Sequence, residues 1–294
     1  MDSIGQEGSS VIAMRGIRIA SLNYLFGRRG FYILSSATPS MAGNKSGALT
    51  TVETSLEVVE AVADLDGARV SEISEYLETP VSTVHGHLKT LHEQSYLTKE
   101  GDEYHVGLQF LNRGGQARER KKGYQLAEEK VVKLAEETNE RAQFIVEENG
   151  RGYYIHTESG EDAVLADARI GKRIYLHDSA AGKSILAQLP DSRVHDIIDR
   201  WGLPSFTEHT ITDEAELFEE LEQIREQGYA LNLQETHEGL HAVGATVKTY
   251  QGQVLGAFSV SGPSNRLKGS RLEDDVADFL RGVTNELELR LSYR

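Results

Sequence analysis

The chain contains no cysteine. Disulfides, thiolate metal sites and a cysteine nucleophile are therefore excluded, and a reducing, cytoplasmic location fits. No stretch approaches the roughly eighteen consecutive apolar residues that a membrane helix requires, so no membrane partner is expected. No internal repeat is present. Two catalytic signatures are also missing. No G-x-S-x-G nucleophile elbow occurs. The stretch Asp178–Leu189, DSAAGKSILAQL, carries the GKS of a phosphate-binding loop. A P-loop needs G-x-x-x-x-G-K-[ST] between a strand and a helix, and His177 stands where the first glycine should be. Positive charge is scarce as well. Lys plus Arg number 31 against 46 Asp plus Glu, a net charge of −15.

The 294 residues suit two modest domains or one large one. Acidic residues lie in nearly every segment after Met41, which favours a halophilic cytoplasm, where a solvated acidic surface stays soluble at high salt. An ordinary acidic protein is the plainer alternative. The first forty residues differ: Arg15, Arg18, Arg28 and Arg29 outnumber Asp2 and Glu7. GIRIASLNYLF has the look of a secretion signal, but Asn23 and then Gly27-Arg28-Arg29 break its apolar run. Residues 1–45 are read as a disordered extension, or as the product of an early start codon with Met41 the true start.

From Leu49 the pattern becomes helical. Val52, Leu56, Val59 and Val62 recur on one face of Thr50–Ala63. A second short helix over Val70–Leu77, opened by Ser71, ends at Thr79-Pro80. A third covers Val81–His92 with Val84, Leu88 and Leu91 inward. YLTKEGDEYHV then reads as two strands around a Gly101-Asp102 turn. Helix, helix, turn, helix, hairpin is a winged helix-turn-helix. Gly114-Gly115 is expected to end this unit, ahead of the basic run Arg118–Lys122 and a long helix from Tyr124 to Thr138. Beyond it the fold reads as α+β. Strands are expected at Ala142–Glu147, Gly152–His156, Ala163–Ala168, Tyr229–Leu233, Ala242–Val247 and Val254–Ser261. Helices are expected at Ala180–Gln188, Ser192–Trp201, Asp213–Gln227 and Arg271–Leu291, with Thr212 capping the third and a Ser270/Glu273 capping box on the last.

In a helix-turn-helix the last helix enters the major groove. Ser82, Thr83, His85 and Lys89 fall opposite Val84 and Leu88, where hydroxyls and imidazole can meet base edges and Lys89 a phosphate. A helical hairpin used only for packing or protein contact is the alternative. Charge supports that alternative: residues 41–115 hold five basic and twelve acidic residues, net −7. Such a field opposes a polyanion at ordinary salt. At about 1 M salt the Debye length falls to about 3 Å and short-range contacts decide. DNA binding with a weak or inverted salt slope is therefore expected. His85 and His87, two apart, point to different faces, so no metal site is expected there. His237 and His241 flank Gly239 and make a poor metal pair.

In the second half Ser259 and Ser261, two apart in a strand, share one face, while Phe258 and Val260 share the other. Ser179 can cap the helix starting at Ala180, leaving first-turn N–H groups open to an anion. Two hydroxyls opposite a helix start make a plausible carboxylate cradle. A solvated sheet edge and an ordinary capped helix are the alternatives.

Gly171-Lys172-Arg173-Ile174-Tyr175-Leu176-His177, Ser179-Ala180-Ala181-Gly182-Lys183, Glu238-Gly239, Ser259-Val260-Ser261-Gly262-Pro263 and Arg266, together with VSEISEYLETPVSTVHGHLKTL, closely resemble the IclR family of bacterial and archaeal transcription regulators, here in an acidic, haloarchaeal-type form. The resemblance runs from about Thr50 to the C-terminus. It implies a winged helix-turn-helix over 46–112, a linker helix over 113–124, and a GAF-like effector-binding and oligomerisation domain over 125–294. It implies a homodimer or tetramer on near-palindromic double-stranded DNA, no cofactor, no catalytic residue, and a small organic-acid or sugar-derived effector. By the same resemblance the effector pocket uses Ala180, Ala181, Asn232, Ala242, Ser259 and Ser261. Some family members carry an acidic residue and a cysteine where this chain has Asn232 and Ala242, so the effector cannot be copied across. A protein-interaction or sensor module without DNA binding, and less so a small-molecule enzyme, remain the competing readings.

Overall fold

The computed structural model describes residues 47–163 and 168–293. The expected N-terminal extension, Met41 and most of the strand expected at Ala163–Ala168 lie outside the described residues. Among the described residues no helix is long and apolar enough to cross a membrane.

The chain opens with helices α1 (Thr50–Asp64), α2 (Val70–Tyr76) and α3 (Val81–Glu93), then strands β1 (Leu97–Glu100) and β2 (Glu103–Val106). These five elements enclose one small core: Val58, Ala61 and Val62 of α1, Ala68, Ile73 of α2, Val84 and Leu88 of α3, and Leu97 and Tyr104 of the hairpin. Ala68 also bridges to Tyr104, adding a third short edge to the wing. The expected inward face of α1 is only partly right. Val52 and Leu56 are more than half exposed, because the helix turns its 58–61–62 stripe to the core and leaves 49–52–56 uncovered.

Helix α4 (Gln109–Glu119) follows, with no buried residue, and Gly114-Gly115 lie inside it rather than ending a unit. The break comes later, at Lys121, whose backbone is extended (φ −116, ψ 134). Helix α5 (Lys122–Thr138) ends on Asn139 in the left-handed region at φ 57, a position asparagine tolerates.

The remaining chain builds a six-stranded sheet in the order β5-β4-β3-β8-β7-β6, antiparallel throughout. Its strands are β3 (Arg141–Glu148), β4 (Arg151–Ser159), β5 (Arg173–Ile174), β6 (Ala230–Leu233), β7 (Leu240–Lys248) and β8 (Val254–Pro263). Helices α6 (Ala180–Leu186), α7 (Asp191–Trp201) and α8 (Glu214–Gln227) lie between β5 and β6. A short π-helix at Arg271–Val276 leads into α9 (Ala277–Ser292).

Period-2 alternation sorts the strands onto two layers. Ala142, Phe144 and Val146 of β3, Phe258 and Val260 of β8, and Val243, Ala245 and Val247 of β7 pack with α5 and α9. Ile145 and Ala257 face Ala181 and Ile185 of α6. Behind α6, a second apolar cluster joins Leu186, Val194 and Ile197 to Leu217, Leu221 and Ile224. Two expected caps differ. Asp213, not Thr212, caps α8 by accepting from Glu216 N at 3.0 Å. Ser270 already has helical angles and makes no side-chain cap.

Candidate functional site

Two regions of the molecule are built for contact. The first is the outer face of α3. Its inner face is fixed by Val84 and Leu88, both fully buried. His87 Nδ1 lies 2.8 Å from Ser55 Oγ of α1, and His92 Nδ1 lies 3.2 Å from Leu97 O, so both imidazoles tie the fold together. The turn before α3 is held by Ser74 Oγ, which donates to Thr79 O at 2.6 Å. This leaves Ser82, Thr83, His85 and Lys89 all exposed on the outer side, with Lys89 Nζ 3.8 Å from Glu93.

Two further residues on this face escaped sequence reasoning. Val81, 55% exposed at the first turn, offers an apolar contact of the kind a thymine methyl accepts. Gly86 stands midway between Ser82 and Lys89, and a Cβ added there would meet nothing within 4 Å. A glycine in a helix interior costs about 0.5–1 kcal/mol relative to alanine. No neighbour among the described residues demands it, and a glycine breaking a helical pattern was the available signal. Gly86→Ala is expected to raise stability by about 0.5–1 kcal/mol in chemical unfolding. If the groove floor approaches Gly86 Cα, operator affinity falls in the same variant; unchanged affinity would show that the DNA stays clear of this point.

The second region is the α6 side of the central strands. Ser259 and Ser261 of β8 face it and are 5% and 8% exposed. Arg141 and Gln143 of β3 pair in register with Ser261 and Ser259 and are likewise buried. Gln143 Nε2 donates to Ser261 Oγ at 2.9 Å, whereas Ser259 Oγ makes no hydrogen bond among the described residues. On β7, Ala242 and Gly244 sit opposite Ser261 and Ser259. Gly244 is required there: an added Cβ would stand 2.5 Å from the backbone of Ala180 and Ala181. The start of α6 therefore rests directly on β7, one strand from the serines. Ser179 Oγ accepts from Gly182 N at 3.2 Å and caps the helix. Helix α6 is only seven residues long, shorter than the expected Ala180–Gln188.

Asn232 is buried, and its polar groups are engaged by the chain. Its Nδ2 donates to Asp178 O at 2.7 Å and to Thr236 Oγ1 at 2.6 Å, and its Oδ1 accepts from Glu235 N. The six effector positions taken from the family thus lie in one layer, with Asn232 bridging β6 to the segment before α6. The lysine of the GKS stretch is not poised for phosphate. Lys183 is 2% exposed and its Nζ bonds Glu220 at 2.8 Å and Glu235 at 2.7 Å. His177 is also buried, its Nε2 3.0 Å from Pro204 O, and burial pushes its pKa down.

Comparison with known proteins decides between the readings. Residues 121–288 match the family model described as bacterial transcriptional regulator IclR C-terminal, and residues 51–101 match the IclR helix-turn-helix domain. The chain belongs to the IclR family. It is an IclR-type DNA-binding transcriptional regulator, and this family consists of regulators rather than enzymes. Among IclR relatives, "Probable HTH-type transcriptional regulator ArcR" of Halobacterium salinarum is 30% identical over 247 residues, covering 83% of this chain and 94% of the relative. The crystal structure of the Thermotoga maritima IclR superposes with a TM-score of 0.69 at 26% identity, covering 84% of this chain and all of that one. The inducer-binding domain of a PobR double mutant from Acinetobacter, in complex with 3-hydroxybenzoic acid, superposes with a TM-score of 0.52 at 25% identity over 56% of this chain and 96% of that one.

Proposed function

We propose that this IclR-family regulator senses a small carboxylate or sugar-derived acid in the layer between α6 and β8, and that occupancy changes its grip on a near-palindromic operator. The observation that carries this reading is the buried hydroxyl face of Ser259 and Ser261 beside the start of α6, with Ser259 unbonded among the described residues. A hydroxyl not committed to a bond within the chain is free to bond a ligand oxygen. The superposable PobR domain that holds 3-hydroxybenzoic acid supports an acid as ligand. Ala180, Ala181, Asn232 and Ala242 complete the proposed pocket, and Ser82, Thr83, His85 and Lys89 read the DNA.

The division proposed here is a head over 46–112, a linker over 113–124 and a GAF-like domain over 125–294, acting in the cytoplasm where the operator is; the linker is not the single helix expected, because the extended backbone of Lys121 separates the end of α4 from the start of α5. Two-fold DNA asks for a two-fold protein. Leu49 just before α1 and Val52 and Leu56 on it, with Leu108 and Leu111 at α4, leave apolar side chains between 53% and 81% exposed, a surface suited to a homodimer or tetramer contact.

The test is a mobility shift on the upstream region of the protein's own gene in molar potassium chloride. Wild type should bind, and Thr83→Ala and Lys89→Ala should each weaken binding by about 1–3 kcal/mol. Affinity that collapses as salt rises from dilute to molar would refute the screened, short-range contact. A wild-type chain that fails to shift the DNA would favour the second reading, a protein-interaction module, which the acidic head keeps in view. Ser259→Ala is expected to abolish any response of the shift to an added acid while leaving DNA binding intact.

A further inference from the structure

Arginines in this acidic chain are mostly engaged by carboxylates. Arg120 pairs with Glu148, Arg193 with Glu147, Arg225 with Asp191, Arg266 and Arg271 with Glu140, Arg281 with Asp278 and Arg290 with Glu129. Three others gather around one indole instead. The guanidinium carbons of Arg151, Arg173 and Arg200 lie 5.1, 5.8 and 4.9 Å from the Trp201 ring, and Arg151 also stacks on Tyr175 at 3.5 Å. None of the three makes an ion pair among the described residues. Like charges crowd here: Arg173 lowers the pKa of Arg151, although burial is the larger cause. Arg151 is buried, Arg173 half-buried and Arg200 exposed. Arg151 is held by Ile174 O and feels the buried Asp178, so it braces the cluster from within. Stacking on indole offsets part of the repulsion, but Arg173 and Arg200, which make no ion pair among the described residues, invite an anion from outside the chain.

Position narrows the choice of anion. Trp201 Nε1 donates to Asn149 O at 2.8 Å, so the patch is built on the β3–β4 hairpin turn. Just before that turn, at the end of β3, stands Glu148, the partner of Arg120 just past the C-terminus of α4. The turn therefore marks the end of the sheet nearest the helix leading to the winged head. Lys121 and Lys122 stand at that junction too, while α7 contributes Asp196 and Asp199, so the patch is a local excess rather than a uniformly basic surface. The head is poor in available cations. From residue 47 to 107 it has only Arg69, Lys89 and Lys99, of which Arg69 lies 3.5 Å from Glu103 and Lys89 lies 3.8 Å from Glu93.

We propose that Arg173 and Arg200, braced with Arg151 on Trp201, form a second phosphate-contacting surface that grips the DNA backbone beyond the half-site read by α3. DNA is the polyanion this family is built to bind, and planar guanidinium forks match its phosphates. The contact adds affinity without sequence preference and lengthens the protected stretch.

The experiment uses the full-length protein and an operator it selects from a pool of random duplexes. Binding is compared on that operator alone and on the same operator with about 20 bp added on each side. Arg173→Ala/Arg200→Ala should bind the short duplex as wild type does, and the flanked duplex about tenfold more weakly, with a salt slope smaller by about 2. Arg173→Lys/Arg200→Lys should recover most of the loss, and unfolding midpoints should confirm that the variants are folded. Equal affinity of wild type and variant for the flanked duplex overturns the inference. If the double variant instead loses binding to poly-glutamate but not to DNA, the patch serves an acidic protein partner and the inference is equally overturned. A wild-type chain that selects no sequence from the pool brings down the DNA-reading assignment as well, a result distinct from both.

Discussion

Lys183→Met should destabilise the protein by about 3–5 kcal/mol in denaturant unfolding. The lysine is buried and its ammonium is the shared counter-charge of Glu220 and Glu235. Glu235 is itself nearly inaccessible, and its second carboxylate oxygen already lacks a hydrogen-bond partner among the described residues. Burial raises the pKa of Glu235, against the opposing pull of Lys183. Removing the cation leaves that carboxylate as an uncompensated charge between α6, α8 and the β6–β7 turn. Adding Glu235→Gln to Lys183→Met should recover a large part of the loss. A single-variant cost below about 1 kcal/mol would mean that water reaches the network and that the pairing contributes little.

Asp178→Asn should do the opposite, and the size of its effect should depend on pH. Asp178 is fully enclosed, with one carboxylate oxygen unbonded among the described residues, and burial, followed by repulsion from Glu235, pushes its pKa up to about 7. A hydrogen bond from its own backbone N–H, and after it the charges of Arg151 and Lys183, act in the other direction and do not prevail. Since the unfolded value is 3.8, the folded state holds the proton more tightly than the unfolded one between pH 4 and 7. Stability from this group is therefore present below pH 4 and lost as pH rises to about 7. Three pKa units correspond to about 4 kcal/mol as an upper bound. The asparagine variant should match wild type in acid and exceed it increasingly towards pH 8. A stability difference that stays flat from pH 5 to pH 8 would show that Asp178 is ionised throughout.

Much of this architecture was legible because its signals are local. Period 2 put Ser259 and Ser261 on one face and Phe258 and Val260 on the other, and the β8 layers are divided in that way. Spacing put Val84 and Leu88 inside and Ser82 and Lys89 outside. What stayed hidden depends on contacts distant in sequence. GKS does not announce that Lys183 is locked by residues on α8 and beyond β6. Nothing around Gly244 says that the backbone of α6 will lie against it. The apolar spacing of α1 misled for a related reason: Val52 and Leu56 are periodic with Val59, yet no element among the described residues covers them. Caps were misplaced by single residues, as with Thr212 and Asp213, because adjacent polar side chains compete for the same N–H groups.

The place of β3 and β8 at the centre of the sheet has a consequence for how the protein is made. Gln143 and Ser261, joined across these strands, are 118 positions apart. The winged head closes its core from residues between Val58 and Tyr104 and can fold while the rest is still being synthesised. The sheet cannot. Until β8 emerges near the end of translation, β3 waits with one edge unpaired and its apolar side chains only partly covered, by α5 and α6. Non-local pairing of this kind is slow because loop closure precedes any reward. Each new copy is therefore a folded head trailing an adhesive, incomplete sheet, and a ribosome stalled before Val254 would release a species that aggregates through β3 rather than a smaller working regulator.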